Sequence, residues 1–464
     1  MSGVLLATLL PMLAGLWAVW WTRLRETAAA PLVDSGRRVS WAFIIVYFTW
    51  RAFFYVPRED VLDLVTSGLS ASNRIEAGFT VVAGLWAAWL VISRRMPLIR
   101  LLHGAGFWAT ALIALYAAST LWSAWPDLTL YKSAELGIFW VIVAHAFAVG
   151  AWRDNLERLT FWAVMGDLLA PIIGGGGNFS GGLVGAYYDN GGALMAGALF
   201  LVALHRLMTR RDLRARLLVV FAFVSMLLFH AFTTYIAVTA ALPALVVLVL
   251  MPQATRAATA TMIAGTIASG ASLTWLALNA EPDLLLQIGA VVGKDASQIG
   301  SMTGRLPLWE AMWEVSRGHT LGTGFLAVER MIPAIVSEDM VGWVAAHSHN
   351  GFFSAWLAAG WLGLGLIVSF TVALGLQAVG AGTAGRALAV PFLLMVLINN
   401  MSYPAFGGRL NGAWLMVMGL AFATAARPVR RAVPLVVPEP EPAPAPERLR
   451  LPPRAWAPLP HRGA

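Results

Sequence analysis

Long apolar runs separated by short polar segments are the dominant pattern along this chain. A helix that crosses a bilayer needs about 20 mostly apolar residues. By that test the sequence predicts membrane helices near 3–21, 40–56, 77–93, 105–122, 132–150, 157–173, 191–206, 216–231, 233–251, 258–279, 350–378, 387–402 and 412–426. Twelve and thirteen spans both stay open, depending on the first run and on the break near 230–234. The expected fold class is an all-α polytopic membrane protein.

Composition supports lipid as the solvent for much of this surface. Only 12% of the residues are charged and 59% are hydrophobic, whereas soluble domains carry about 25% charged residues. The 21 tryptophans fit a membrane protein, because indole rings favour the boundary between lipid and water. The chain has no cysteine, which excludes both a disulfide framework and a thiolate nucleophile.

The basic residues alternate between loops and so predict the topology. Cytoplasmic loops of membrane proteins are enriched in Lys and Arg. We therefore assign the arginine-rich loops to the cytoplasm and the long loop 280–348 to the outside. The expected segments are N-terminal membrane helices (1–279), a periplasmic loop (280–348), C-terminal membrane helices (349–426) and a Pro-rich, disordered cytoplasmic tail (427–464). The loop arginines are Arg23, Arg25, Arg37, Arg38, Arg94, Arg95, Arg100, Arg210, Arg211, Arg214 and Arg216, and Arg427, Arg430 and Arg431 follow the last helix.

The outer loop holds an arginine next to aromatic residues. Arg305 follows a Thr-Gly turn and precedes an expected amphipathic helix with Trp309 and Trp313 on one side. A guanidinium matches the geometry of phosphate oxygens and keeps its charge at any working pH. Arg305 is thus a candidate for binding a lipid-carrier pyrophosphate. Alternatively, it is a loop arginine that solvates the surface or pairs with Glu310.

Two histidines stand at the junction between the outer loop and a long apolar helix. His347 and His349 titrate near neutrality when unperturbed and could take a proton from a hydroxyl nucleophile. Alternatively they are interfacial residues that cap the next helix beside Asn350. A metal site is not expected, because a third ligand at a fixed spacing is missing from the sequence nearby.

Other polar residues leave both functional and structural interpretations open. Glu338 and Asp339 could act as acids or bases, hold a divalent ion, or form a solvated pair in the loop. The Gly-rich stretch 174–182 is expected to be a flexible external loop. Charged groups and histidines are costly within a membrane and often mark function, yet they also pair inside bundles; the candidates are Arg51, His145, Asp167 and His230.

Several of these residues fall into one spaced pattern. His349 and Asn350 are followed after nine residues by Gly360-x-x-Gly363, and upstream stand TGR, a Trp and GTGF, with Arg305, Trp309, Gly322 and Gly324. Residues 119–135 contain S-x-x-W-S-x-x-P, and 183–199 contain G-x-Y-x-x-N. Over roughly 105–425 the chain resembles the O-antigen ligase and polysaccharide polymerase superfamily.

The chain departs from that family at two places. The family often has a Ser-Arg pair at the outer end of a middle helix, where this chain has residues 233–235 (Thr-Thr-Tyr). It also often has an arginine shortly before the G-x-Y segment, and this sequence has none between Arg158 and Arg206. Both arginines would be expected to help hold the donor pyrophosphate, so their absence leaves more of that task to Arg305 and its neighbours.

The resemblance implies a GT-C-like, inverting glycosyltransferase of the bacterial inner membrane that works at the periplasmic face without a metal or another cofactor. Its donor would be a saccharide on undecaprenyl pyrophosphate and its acceptor a glycan hydroxyl; nucleic acid would not be a partner. The implied roles are catalytic for His349 and His347, pyrophosphate-binding for Arg305, Arg317 and Arg330, and supporting for Asn350, Trp309 and Glu338.

Three activities remain open at this point. A surface polysaccharide or exopolysaccharide polymerase, which extends one lipid-linked chain with another, is slightly favoured by the segment 345–365. An O-antigen ligase would instead join the polymer to lipid A–core. A transporter or flippase for a lipid-linked saccharide is the rival from another class, but the sequence lacks an evident internal repeat and its titratable residues crowd into one outer loop.

Overall fold

A computed structural model of the chain describes residues 36–53, 71–96, 98–148, 152–174, 190–229, 231–278, 304–336 and 347–425. Within these ranges the chain is helical and contains no β-strand. The α-helices are α1 Arg37–Phe53, α2 Ala71–Ile92, α3 Ala105–Ala118, α4 Pro126–Phe147, α5 Trp152–Gly174, α6 Asn190–Arg210, α7 Leu213–Phe229, α8 Phe232–Leu250, α9 Arg256–Leu278, α10 Arg305–Ser316, α11 Ala327–Ile335, α12 Gly351–Gly380, α13 Thr383–Asn400 and α14 Gly412–Ala425.

The apolar runs located the helices well. Each predicted membrane helix after 3–21 has a counterpart, and the break near 230–234 is confirmed because α7 ends at Phe229 and α8 begins at Phe232. Helix α4 starts earlier than its apolar run, since Pro126 and Asp127 form a favourable first turn. The stretch 3–21 and the tail 427–464 lie outside the described residues.

Membrane character follows from the length and hydropathy of these helices. Six helices of the described part are long and apolar enough to cross a bilayer, namely α2, α4, α6, α8, α12 and α13, and two shorter apolar helices lie at 105–121 and 412–424. The chain is therefore a helical, membrane-embedded protein, as the pattern of the sequence predicted.

The last described helix forms the centre of the bundle. Residues 412–421 of α14 are all buried, and the helix packs against α3, α4, α5, α6, α12 and α13. Trp414 is fully buried and stacks near Phe370 of α12, with ring centroids 5.9 Å apart. The bundle thus closes around an apolar helix of only 14 residues.

Polar contacts collect at two opposite ends of the bundle. At the end that we call the inner end, Arg37 of α1 donates hydrogen bonds to the Ala146 carbonyl (3.2 Å) and to Asn155 Oδ1 (2.7 Å). The outer end comprises the turn after α3, the start of α4, the helices α10 and α11, residues 347–350 and the segment 401–411. The arginine-rich loops that the structure describes lie at the inner end.

Candidate functional site

Helix α12 is broken near its outer end. Ala359 (φ −141°, ψ 25°) and Gly360 (φ 61°, ψ −152°) leave the helical conformation. The break frees the carbonyls of Leu357 and Ala358, which accept hydrogen bonds from the backbone amides of residues 323 and 324 at 2.8 and 3.0 Å. The outer loop therefore completes the backbone hydrogen bonding of a membrane helix.

Glycine is required at the break for two reasons. The φ of Gly360 lies in the left-handed region, which side chains with a Cβ rarely adopt. A Cβ at Gly360 would also overlap the Thr320 carbonyl oxygen, and one at Gly363 would overlap the carbonyl oxygen of Ala355. Gly360 therefore permits the outer loop to dock onto α12, and Gly363 permits the close approach of the helix to its own preceding segment at the break.

The turn after α3 holds the same loop from the other side. Trp122 Nε1 donates to the Leu321 carbonyl (2.9 Å), and the Phe325 amide donates to Ser119 Oγ (3.0 Å). Thr129 in the first turn of α4 donates to the Phe325 carbonyl (2.9 Å). Three segments that stood out in the sequence, 119–126, 322–325 and 359–363, thus meet at one place.

The two predicted catalytic histidines lie side by side. The ring centroids of His347 and His349 are 3.9 Å apart, and the residues are 2% and 8% exposed. The His349 amide donates to His347 Nδ1 (3.2 Å), so a neutral His347 carries its proton on Nε2. His349 itself has a φ of 54°, which turns the backbone sharply just before α12.

Asn350 begins α12 as its N-cap. Its side-chain oxygen accepts hydrogen bonds from the amides of Phe352 (2.9 Å) and Phe353 (3.1 Å). Ser348 Oγ donates to the Asn350 carbonyl (2.9 Å). The N-cap is therefore Asn350 itself rather than a histidine, and it gives the histidine segment a rigid base on the helix that follows.

Helix α10 connects Arg305 to the histidine segment. Gly304 precedes it with a φ of 77°, and Arg305 is its first residue, as the Thr-Gly turn predicted. Trp309 Nε1 donates to the carbonyl of Ser348 (2.6 Å), between the two histidines. Residues four apart share one face of a helix, so Arg305 lies on the side of α10 that faces this segment.

The other predicted phosphate-binding arginines are placed differently. Arg317 forms an ion pair with Glu314 at 3.0 Å, and both side chains are more than half exposed. Arg330 is partly buried on α11. Glu338 and Asp339 lie outside the described residues.

A charged group at the outer end was not selected from the sequence. Lys132 Nζ lies 2.6 Å from Glu76 and 3.0 Å from Glu135. Burial raises the pKa of the Glu329 carboxyl, an effect that Arg409 and Lys132 partly offset. One signal could have indicated this group, because Lys132 is one of only two lysines in the chain.

Two further residues border the site. The ring of Tyr403 stands edge-on to His347, with centroids 6.0 Å apart. Thr234 of the segment 233–235 is buried and donates to Asn399 Oδ1 (3.0 Å). This contact is between two neutral side chains.

The intramembrane candidates are only partly described. His145 Nδ1 lies 2.9 Å from Ser40 Oγ inside the bundle, which fits the structural interpretation. Asp167 is partly buried on α5, whereas the Arg51 side chain and His230 lie outside what the structure describes. Among the described residues, groups of three or more His, Asp or Glu side chains that could hold a metal ion are absent.

Comparison with known proteins gives no relative: no family model, no curated protein and no solved structure matches this chain.

Proposed function

We propose that the chain is a membrane glycosyltransferase that transfers a saccharide from undecaprenyl pyrophosphate to a glycan hydroxyl. The observation that carries the proposal is the buried histidine pair, held at the outer end by the Asn350 cap and joined through Trp309 to the helix that begins at Arg305. This reaction needs a base and a phosphate-binding cation, the roles that we assign to His349 and Arg305.

The chemistry requires one proton acceptor and one stabilised leaving group. His349 takes the proton of the acceptor hydroxyl while the hydroxyl oxygen attacks the anomeric carbon. The bond between that carbon and the pyrophosphate oxygen breaks, and the lipid pyrophosphate leaves with the bonding electrons. Arg305 offsets the charge that develops on the leaving oxygen, and attack from the opposite side inverts the anomeric configuration. This route calls for neither a metal nor another cofactor and fits a GT-C-like enzyme.

The orientation in the membrane belongs to the same proposal. Arginines concentrate at the inner end, which the positive-inside rule assigns to the cytoplasm. The site would then face the periplasm of a bacterial inner membrane, where a flipped lipid-linked saccharide is presented. Accessibility labelling at residue 319 of the outer loop is expected to occur from the periplasmic side only.

The central test compares two histidine substitutions in purified protein. His349→Asn removes the imidazole, but asparagine tolerates the left-handed backbone at this position. We expect its turnover of a lipid-linked saccharide in detergent to fall by about 10²–10⁴. His319→Asn, the same change at an exposed loop position, is expected to keep full turnover. Equal activity of both variants would refute the role of His349.

The same assay separates the other activities. Turnover in detergent without any gradient excludes a pure transporter. In a deletion strain, accumulation of single lipid-linked repeats indicates a polymerase, which we favour. Long lipid-linked chains that are not attached to lipid A–core indicate a ligase.

A further inference from the structure

The inner end contains a cavity whose wall combines cations with apolar side chains. It has a volume of about 360 Å³ and lies between the α6–α7 hairpin and the last turn of α8. Its lining consists of Leu207, Met208, Arg211, Arg216, Val249 and Leu250. The proposed transfer reaction does not use this region, which lies at the opposite end of the bundle from the histidines.

The carboxylates of this end are already occupied by other arginines. Asp212 binds Arg206 (2.8 Å) and also accepts from the Ala215 amide (2.7 Å). Glu157 binds both Arg206 (3.0 Å) and Arg214 (2.6 Å). In the described part of the chain, ion pairs of this kind do not include the two arginines of the cavity. The cavity therefore keeps an uncompensated positive charge.

Exposed apolar side chains lie on the helices that form the cavity. Leu213 and Leu217 of α7 and Leu250 of α8 are 62–69% exposed, as expected for side chains in contact with acyl chains. The backbone at Arg211 is left-handed, with a φ of 54°, at the point where the hairpin reverses. A free anion would gain nothing from the four apolar side chains, whereas a phospholipid has both an anionic head and apolar chains.

We infer that this cavity binds an anionic phospholipid, with its phosphodiester between Arg211 and Arg216 and an acyl chain along Leu207, Met208, Val249 and Leu250. Guanidinium groups bind phosphate oxygens in a bidentate manner. Basic pockets between membrane helices are suited to anionic head groups on the cytoplasmic side. The inference stands independently of the proposed transferase activity.

The test measures retained lipid on the full chain by native mass spectrometry. Phosphatidylglycerol and phosphatidylcholine with identical acyl chains are added to the detergent-purified protein. We expect phosphatidylglycerol to be retained at least about tenfold better than phosphatidylcholine, because each arginine near an anionic head group strengthens the binding of that lipid. The double variant Arg211→Gln/Arg216→Gln is expected to lose this preference.

A matched control separates a specific site from general surface charge. Arg94→Gln/Arg95→Gln removes two arginines from another inner-end turn that does not line the cavity, and Arg94 has the same left-handed backbone (φ 56°). We expect this variant to retain the lipid preference. Equal loss in both double variants, or equal retention of the two lipids by the unmodified chain, would overturn the inference.

A second readout covers the case of an unstable variant and identifies the source of the phosphate. Phosphatidylglycerol is expected to raise the melting temperature of the unmodified chain and of the Arg94/Arg95 variant, but not of the Arg211/Arg216 variant. Inorganic phosphate at the same concentration is expected to leave bound phosphatidylglycerol in place. Displacement by inorganic phosphate would contradict a lipid site.

Discussion

The two ends of the bundle differ in how their polar side chains are used. Several charged side chains of the inner end bind one another, as in the ion pairs of Arg206 with Glu157 and Asp212. The outer end also has a charged group, around Lys132, but many of its side chains bind the backbone. The outer-end examples are Tyr47 to Leu410 O, Tyr116 to Gly407 O, Trp122 to Leu321 O, Thr129 to Phe325 O, Trp309 to Ser348 O, Asn411 to Pro404 O and Trp414 to Gly408 O.

The difference follows from what each end contains. The inner turns are short, and their charges need only water and an opposite charge. The outer end holds irregular backbone against membrane helices, where every unsatisfied amide or carbonyl costs free energy. Irregular backbone that is held by many hydrogen bonds fixes the positions of its side chains. The histidine pair lies in this part of the molecule.

The largest expected effect comes from the break in α12. Gly360→Ala places a Cβ against the Thr320 carbonyl and forces a strained φ. We expect the loop to undock and most of the protein to lose its fold, measured as the monodisperse fraction after purification. Gly365→Ala lies on the same helix with open space around its Cβ and should be tolerated, because alanine favours a helix. Similar yields of the two variants would show that the docking is dispensable.

The next effect distinguishes two arginines of the outer end. On the proposed mechanism, Arg305→Gln is expected to lower turnover by about 10²–10³ without changing the melting temperature, since it removes the positive charge that offsets the leaving pyrophosphate. Arg317→Gln removes only an exposed ion pair and should stay within about twofold. If Arg317 proved equally important, the pyrophosphate would have to lie near the end of α10 rather than its start.

A moderate effect tests the contrast between the ends directly. Trp122→Phe keeps an aromatic side chain, although a smaller one, and leaves the Leu321 carbonyl without its donor, which we expect to cost about 1–3 kcal/mol of unfolding free energy. The inner-end counterpart is Arg214→Gln. Its side chain is 66% exposed and Glu157 retains Arg206, so the expected cost is below about 1 kcal/mol. The measurement is chemical denaturation in detergent, and a reversed order would contradict the contrast.

The smallest effect concerns pH. The raised pKa of Glu329 means that the folded protein keeps its proton to higher pH than the unfolded chain. The folded state is therefore favoured at low pH and loses this advantage as pH rises through the folded pKa. Glu329→Gln should be more stable than the unmodified chain near neutrality, and this gain should vanish below the ordinary pKa of about 4.5. A stability gain that persisted unchanged below that pH would show that it does not come from the titration of Glu329.

The sequence was sufficient to locate the helices but not to predict how they are interrupted. Hydropathy identified α12 as one long run, because Ala359 and Gly360 are as apolar as their neighbours. Their break depends on the loop segment 320–324, which approaches from more than 30 residues away in the chain. Only the motif pointed to Gly360, and it did not indicate the partner.

The candidate site was predicted in its residues rather than in its geometry. Both histidines and Arg305 were selected, but their positions depend on the backbone at His349 and on the bond from Trp309 to Ser348. Lys132 was not selected as a site residue, because its ion pair with Glu76 depends on the packing of α2 on α4, which the sequence does not show. Arg317 and Glu314, by contrast, are three residues apart on one helix, a spacing that favours their ion pair.

The central position of α14 has a consequence for how the protein is made. Ribosomes deliver the chain from its N-terminal side at roughly 5–20 residues per second, so α14 emerges after the six helices that enclose it. Until α14 inserts between them, the segment 401–411 lacks a hydrogen-bond donor, because the Trp414 indole is the group that donates to the Gly408 carbonyl (3.0 Å). Chains interrupted before this step would expose the apolar walls of the bundle to quality-control proteases and could not assemble the outer end.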